Sequence, residues 1–309
     1  AHNYDERKLF GTNYGYRSSL NKSMVSHLKE KKDLLIKTAK PKKNDSILDI
    51  GSNDGTLLNL FSNQFKKYGV DPTAKKFIKY YQKDIKIIPK IFKKGIFNKS
   101  KKFKIITSVA MFYDLRDPLN FCKQVESNLE KDGIFHVEVA YLPDILKLFS
   151  FDTFCQEHLT YFSFISFDYL INQTNLKIID YRRNKINGGS INFDIAFKTS
   201  KYKSKIKKLH KLRDLENKIG INNPKTFKKF HKKLITKANK INSKLLNIKK
   251  KNFKIYGYGA STKGNVLLQL CKLNDKIIDG IYDVNKEKFN LYTPGSNIKI
   301  IPENKIITN

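Results

Sequence analysis

Cysteine is scarce in this chain of 309 residues. Cys122, Cys155 and Cys271 are far apart and odd in number, which argues against a disulfide framework and fits a reducing cytoplasm. No CxxC pair occurs, so no metal site is expected. Glycine (15) and proline (8) are too few for a fibrous or disordered chain. No run of 18 or more apolar residues occurs, which excludes a transmembrane helix, and no membrane partner is expected. Ala1 to Asn13 is polar throughout, unlike a signal peptide. Acidic residues are also short: 28 Asp and Glu stand against 61 Lys and Arg, a net charge of +33. Such an excess invites a nucleic-acid reading. Lysine dominates it, however, alongside Asn and Ile, which points to a biased coding background and attraction for an anionic substrate. Nucleic-acid sites favour the planar fork of arginine, so no such partner is expected.

The apolar share, 40 %, supports a real core and allows two domains. Residues 1–30 read as an arm leading into a helix, with Met24, Val25 and Leu28 at helical spacing. From Asp45 short apolar runs alternate with helical stretches. Strands are expected at 46–50, 68–70, 85–88, 103–109 and 133–139, and helices from Thr56, Thr73 and Pro118. Such alternation implies a parallel sheet covered on both faces. Strands 177–181 and 190–197 have no helix between them and suit an antiparallel hairpin at the sheet edge. Residues 201–251 read as two solvated helices broken at Pro224. Residues 252–309 restart the pattern as a smaller βαβ unit, with Asp283 ending its second strand. The domains expected are therefore 1–30, 31–200, 201–251 and 252–309. No initiator Met is present, so a fragment is expected.

The turn after the first strand carries the chemistry. It reads Asp49-Ile-Gly51-Ser-Asn53-Asp54-Gly55-Thr56. Gly51 and Gly55 permit positive φ and close approach of a ligand, and ligands of open α/β sheets sit at the carboxyl ends of strands. A dinucleotide site would present amides to pyrophosphate. Here Asp49 and Asp54 repel phosphate and suit the ammonium and sulfonium of S-adenosylmethionine. Asp71 ends the next strand, where an acid accepts hydrogen bonds from ribose.

The segment Asp49 to Leu58, DIGSNDGTLL, resembles the cofactor motif of the sugar C-methyltransferases of deoxysugar biosynthesis. Further segments resemble that family in order: Phe10 to Ser19, Phe112 to Pro118, Glu138 to Pro143, Phe151 to Leu159, Asn187 to Ser190 and Gly257 to Asn265. The family's cysteine-rich zinc module is absent here, and its C-terminal domain usually runs further. The resemblance implies a class I methyltransferase Rossmann-like sheet, a helical bridge and a second Rossmann-like lobe. It implies S-adenosylmethionine as cofactor, held by Asp49, Gly51, Asn53, Asp54, Gly55 and Asp71, with Phe112 near the adenine. It also implies a nucleotide-linked 4-keto deoxysugar as substrate and a cytoplasmic monomer or homodimer.

Methylating carbon needs a base, support for an enolate oxygen and a held methyl donor. Glu157-His158 is the candidate pair, since histidine titrates near neutrality and a neighbouring carboxylate can orient it. The resemblance makes His158 the base beside the keto group. The family often has Tyr where Cys155 stands. Tyr14 and Tyr16 remain candidates for supporting the oxygen or touching the sugar. His27, His210 and His231 lack comparable context, and His136 reads as a core or near-site residue.

The second glycine turn, Gly257 to Gly264, alone resembles a degenerate dinucleotide fingerprint. The family reading gives it the nucleotide-sugar, with Ser261 and Lys263 suited to pyrophosphate. Asn187, Gly189 and Ser190 are placed against the same ligand by resemblance. Two alternatives stay open: an NAD-dependent sugar-nucleotide oxidoreductase using the second turn, and a basic RNA-binding methyltransferase.

Overall fold

The computed structural model describes residues 9–11 and 14–305, and of Asn187 the backbone alone. Helix α1 (Lys22–Ala39) is capped by Asn21, whose side chain accepts from Ser23 N. Then come β1 (Ser46–Ile50), a single turn α2 (Thr56–Asn59), β2 (Lys66–Val70), β3 (Ile85–Ile88) and β4 (Phe103–Val109). Helix α3 (Pro118–Asn128) starts where Asp117 caps Asn120 N and Pro118 occupies its first position, a residue with no amide to leave unpaired. The chain continues through β5 (Leu129–Ala140), α4 (Leu142–Leu148), α5 (Phe164–Asn172), β6 (Leu176–Asn184) and β7 (Ser190–Phe197). It ends with α6 (Ile206–Ile219), α7 (Pro224–Lys250), β8 (Tyr256–Tyr258), α8 (Thr262–Leu270), β9 (Gly280–Asp283) and β10 (Ile300–Pro302).

The chain divides into two compact units. Ala1–Pro143 with Leu159–Lys218 forms the first, and Asp144–His158 with Ile219–Asn309 the second. The expected bridge, 201–251, is thus shared between them.

In the first unit seven strands take the order β3-β2-β1-β4-β5-β7-β6. The first five are parallel, and β7 runs antiparallel to β5 and β6, so the expected hairpin forms that edge. A helix from Thr73 does not form. A single 3-10 turn, Ile78–Tyr80, stands near its end. Side chains take the backbone groups a helix would need. Asp71 accepts from Thr73 N (2.6 Å), and Asn59 bonds both Tyr80 O (2.8 Å) and Gln82 N (3.0 Å).

One core lies between α1 and the sheet, with Leu28, Leu35, Ile47 and Ile105. A second, on aromatic rings, joins Phe112, Phe121, Phe162, Phe167 and Phe193. Under α1 the antiparallel side of the sheet is polar. Glu138 accepts from His27 Nε2 (2.9 Å) and Asn184 Nδ2 (2.7 Å) and pairs with Lys31 Nζ (2.5 Å). His136 Nδ1 meets Asp194 Oδ1 at 2.7 Å, and Arg182 reaches Asp194 Oδ2 at 2.7 Å. Burial pushes the Glu138 carboxyl up, but His27 and Lys31 outweigh it and hold it at about 2.

Helix α6 is less solvated than its lysines suggest. It buries Leu209, Leu212 and Glu216. Glu216 accepts from Tyr141 OH (2.8 Å), Phe164 N (2.6 Å) and Ile165 N (2.9 Å), satisfying two open amides at the start of α5. In the second unit β8, β9 and β10 form a parallel sheet in the order β10-β9-β8. Its core joins Ala238 of α7 to Leu268, Ile281 and Ile300.

Removing a buried, fully bonded carboxylate leaves its donors unpaired. Glu216→Ala should therefore cost about 3 kcal/mol, read as a lower urea midpoint. An unchanged midpoint would show that the clamp on α5 is dispensable.

Candidate active site

The β1–α2 turn is built on left-handed backbone. Gly51 has φ +77°, Asn53 +51° and Gly55 +76°. A Cβ on Gly51 would lie 2.7 Å from Met111 Cγ, and one on Gly55 2.6 Å from the Tyr81 ring. Both positions therefore need glycine twice over, for conformation and for space. Tyr81 OH locks the turn by donating to Asn53 O at 2.8 Å.

The turn borders a cavity at the carboxyl ends of β1, β2 and β4. Its wall includes Asp49, Gly51, Asn53 and Thr56, then Asp71 to Thr73, then Val109 to Met111 and Asp114. Met24 and Leu28 come from α1, and Phe10, Tyr14, Tyr16 and Ser18 from the segment before it. The lining is apolar with a few carboxylates, which fits an adenosyl group carrying cationic ends.

Asp49 is buried and accepts from Thr107 Oγ1 at 2.6 Å. Burial raises it to about 7, the Thr107 bond opposes, and the charge of Asp71 adds to the rise. A cation in the cavity would reverse this by favouring the charged carboxylate. Asp71 already serves the fold: Oδ2 accepts from Asn53 N (2.8 Å), and Oδ1 from Thr73 N and Oγ1. Oδ2 keeps one acceptor position for a hydroxyl.

Three residues expected at the cofactor stand off the cavity wall. Asp54 and Gly55 do not line the cavity. Asp54 Oδ1 accepts from Thr56 Oγ1 (2.5 Å), and Oδ2 from Ser19 Oγ (2.6 Å) and Ser19 N (3.1 Å). Its position after a left-handed residue turns the carboxylate to the arm. Phe112 is fully buried among Phe121, Phe162 and Phe167, so its neighbours Ala110 and Met111 form the wall instead.

The catalytic stretch expected around His158 lies in the second unit. Phe149 stacks on Phe230 of α7 with centroids 5.4 Å apart, and Lys237 caps the Phe149 ring. A 3-10 turn, Phe151–Thr153, then brings Thr153 O to 2.8 Å from His158 Nδ1. A carbonyl only accepts, so Nδ1 carries the hydrogen and Nε2 the lone pair. Burial drives the imidazole down to about 4; the Thr153 bond opposes and the Lys263 charge reinforces. Burial likewise raises the neighbouring Glu157, against a hydrogen bond from Thr262. Cys155, Glu157 and His158 bring donor atoms within 4.8 Å of one another.

The remaining expected residues fall into two turns. In the first unit Gly188 and Gly189 take φ +87° and +114°. Ser190 Oγ donates to Ile186 O at 3.0 Å. The Asn187 side chain is outside the described residues. In the second unit Gly259 has φ +88°, and Ser261 Oγ caps α8 by accepting from Gly264 N at 3.0 Å. Asp283 is occupied by Ala260 N (2.8 Å) and Asn285 N (2.7 Å).

Sequence reasoning missed Thr107 under Asp49, and Ser19 on Asp54. Strand pairing places Thr107 beside Asp49, a register no local pattern reveals. Ser19 lies within the resembling arm, yet nothing around it marks an acidic partner 35 residues away.

A family model described as a methyltransferase domain matches residues 24–181, and one described as a C-methyltransferase C-terminal domain matches 185–309. The C-methyltransferase NovU of Streptomyces niveus is 28 % identical over 297 residues, covering 94 % of this chain and 70 % of that protein. A tRNA U34 carboxymethyltransferase of Campylobacter lari is 27 % identical over 32 % of this chain and 36 % of its own. Among solved structures, a putative methyltransferase from Bacillus halodurans superposes with a TM-score of 0.46 at 11 % identity, over 55 % of this chain and 100 % of that one. The first family model covers half the chain and the second takes up most of the remainder, so the chain belongs to the S-adenosylmethionine-dependent methyltransferases, with a methyltransferase domain followed by a C-methyltransferase C-terminal domain.

Proposed function

We propose that the protein methylates a carbon beside the ketone of a nucleotide-linked 4-keto deoxysugar, with His158 as base. The observation that carries the base assignment is the Thr153 carbonyl on His158 Nδ1, which leaves the Nε2 lone pair as the proton acceptor. The low pKa, about 4, keeps that imidazole neutral across the physiological range. Support for the substrate class is the match to the C-methyltransferase C-terminal domain and the C-methyltransferase of S. niveus.

S-adenosylmethionine, when bound, supplies an electrophilic methyl on a sulfonium. Asp49 would meet its cationic end, Gly51 and Asn53 would let it approach the backbone, and Asp71 would accept from the ribose. Nε2 of His158 takes the proton from the carbon beside the ketone, leaving an enolate. The methyl that the bound donor would supply would go to the enolate carbon with loss of its bond to sulfur, while His158 keeps the proton. Tyr14 and Tyr16 are assigned to the sugar or the enolate oxygen. Gly189, Ser190, Ser261 and Lys263 are assigned to the nucleotide-sugar, the ammonium of Lys263 suiting its phosphates.

The two titrating groups predict different pH limbs. Asp49 must be charged to meet a cation, so kcat/KM for the donor should fall as pH drops below about 7. His158 must be neutral, and it is neutral above about 4, so kcat at saturating donor should hold well below pH 6. Coincident limbs in both profiles would remove one of the two assignments.

Asp49→Asn should weaken donor binding at pH 8 by about 10- to 100-fold in calorimetry and abolish its pH dependence. His158→Ala should leave donor affinity intact and stop methyl transfer. The deciding assay is mass spectrometry of nucleotide-linked 4-keto-6-deoxy sugars incubated with protein and donor. A one-methyl gain on the sugar is expected. An active His158→Ala protein would sink the base assignment, and no gain across the panel with donor bound would sink the substrate class.

A further inference from the structure

Among the described residues from Tyr14 to Asn21, the regular structure is the 3-10 turn Ser18–Leu20, which has no buried residue. Yet Tyr14, Tyr16 and Ser18 form part of the cavity wall. What fixes them is the β1–α2 turn. Ser18 N donates to Asn53 Oδ1 at 3.0 Å, and Asn53 Nδ2 donates to Tyr16 O at 3.0 Å. Ser19 donates both N and Oγ to Asp54 Oδ2, at 3.1 and 2.6 Å. Arg17 Nε stands 3.6 Å from the same oxygen, and its guanidinium lies 3.5 Å from the Tyr80 ring centroid. Lys76 Nζ reaches Tyr14 O at 3.2 Å.

Asp54 stands off the cavity wall, with its oxygens turned to the arm and to Thr56. Its charge is buried and is met by donors on the arm and by Thr56. Charge-assisted bonds of this kind are the strong ones, while the arm they hold is short and exposed.

We propose that Asp54 and Asn53 form a clasp that holds this arm as a wall of the donor cavity, with Ser19 and Arg17 as positioning residues that set how fast donor and product exchange. Opening the clasp frees Tyr14, Tyr16 and Ser18 from the wall together. The donor enters and the product leaves through that opening. The inference rests on the reading of this cavity as the donor site.

The test is surface plasmon resonance of S-adenosylhomocysteine on the intact chain, with dissociation rates as readout. Ser19→Ala removes the hydroxyl bond and should speed dissociation about tenfold, the equivalent of about 1.4 kcal/mol. Ser19→Thr keeps a hydroxyl and should restore the rate. Arg17→Ala should also speed release, without changing the urea midpoint of the ligand-free chain. Rates within twofold of the parent in both Ser19→Ala and Arg17→Ala would overturn the clasp, as would equal acceleration by Ser19→Ala and Ser19→Thr. Asp49→Asn separates the two ideas. If it leaves affinity unchanged, the cavity is not the donor site; if it abolishes binding while the Ser19 and Arg17 variants release normally, the site stands and the clasp does not.

Discussion

Three of the five residues from Gly51 to Gly55 adopt left-handed backbone, and the first unit is organised around that constraint. The reversal lets β1 end at a cavity rather than run on. It brings Asn53 N to Asp71, joining the ends of two neighbouring strands. It also aims Asp54 outward. Ordinary residues at Gly51 or Gly55 would add strain and collide with Met111 or Tyr81. The cavity, the arm and the spacing of the carboxylates all inherit their geometry from this short stretch.

The electrostatics of the two units follow opposite plans. In the first, Asp49 is buried with an uncharged partner, Thr107, and is held near neutrality. It is poised to gain charge when a cation arrives. In the second, His158 is buried with Nδ1 against the Thr153 carbonyl, and burial holds the imidazole neutral. Both groups are thereby biased toward their uncharged forms, an acid in one unit and a base in the other. Desolvation is the dominant cause at both, which is how a fold turns burial into reactivity.

Much of the fold was legible because it depends on local pattern. Alternating strands and helices, the break at Pro224 and the edge hairpin of β6 and β7 all appear as predicted. The helix from Thr73 does not, because Asp71 and Asn59 compete for its backbone, and such side-chain competition lies outside periodicity. At the site, pattern alone put Asp49 and Asp71 at strand ends, and both line the cavity there. That Asp54 and Phe112 stand off the cavity wall was not legible, because a motif names residues without stating which way each side chain turns. Ser19 and Thr107 were missed because their partners are distant in sequence.

The charged row beneath α1 has a bearing on how the sheet assembles. Glu138 pairs across β7 with Asn192, and His136 with Asp194, all on one face. The intervening residues Phe135, Val137 and Phe193 are fully buried and apolar. A slip of one position between these strands would exchange the two sets, driving carboxylates among aromatic rings and rings against His27 and Lys31. Such a row adds little net stability over an apolar one. It makes every wrong alignment costly, so it acts as a key admitting β7 in a single register.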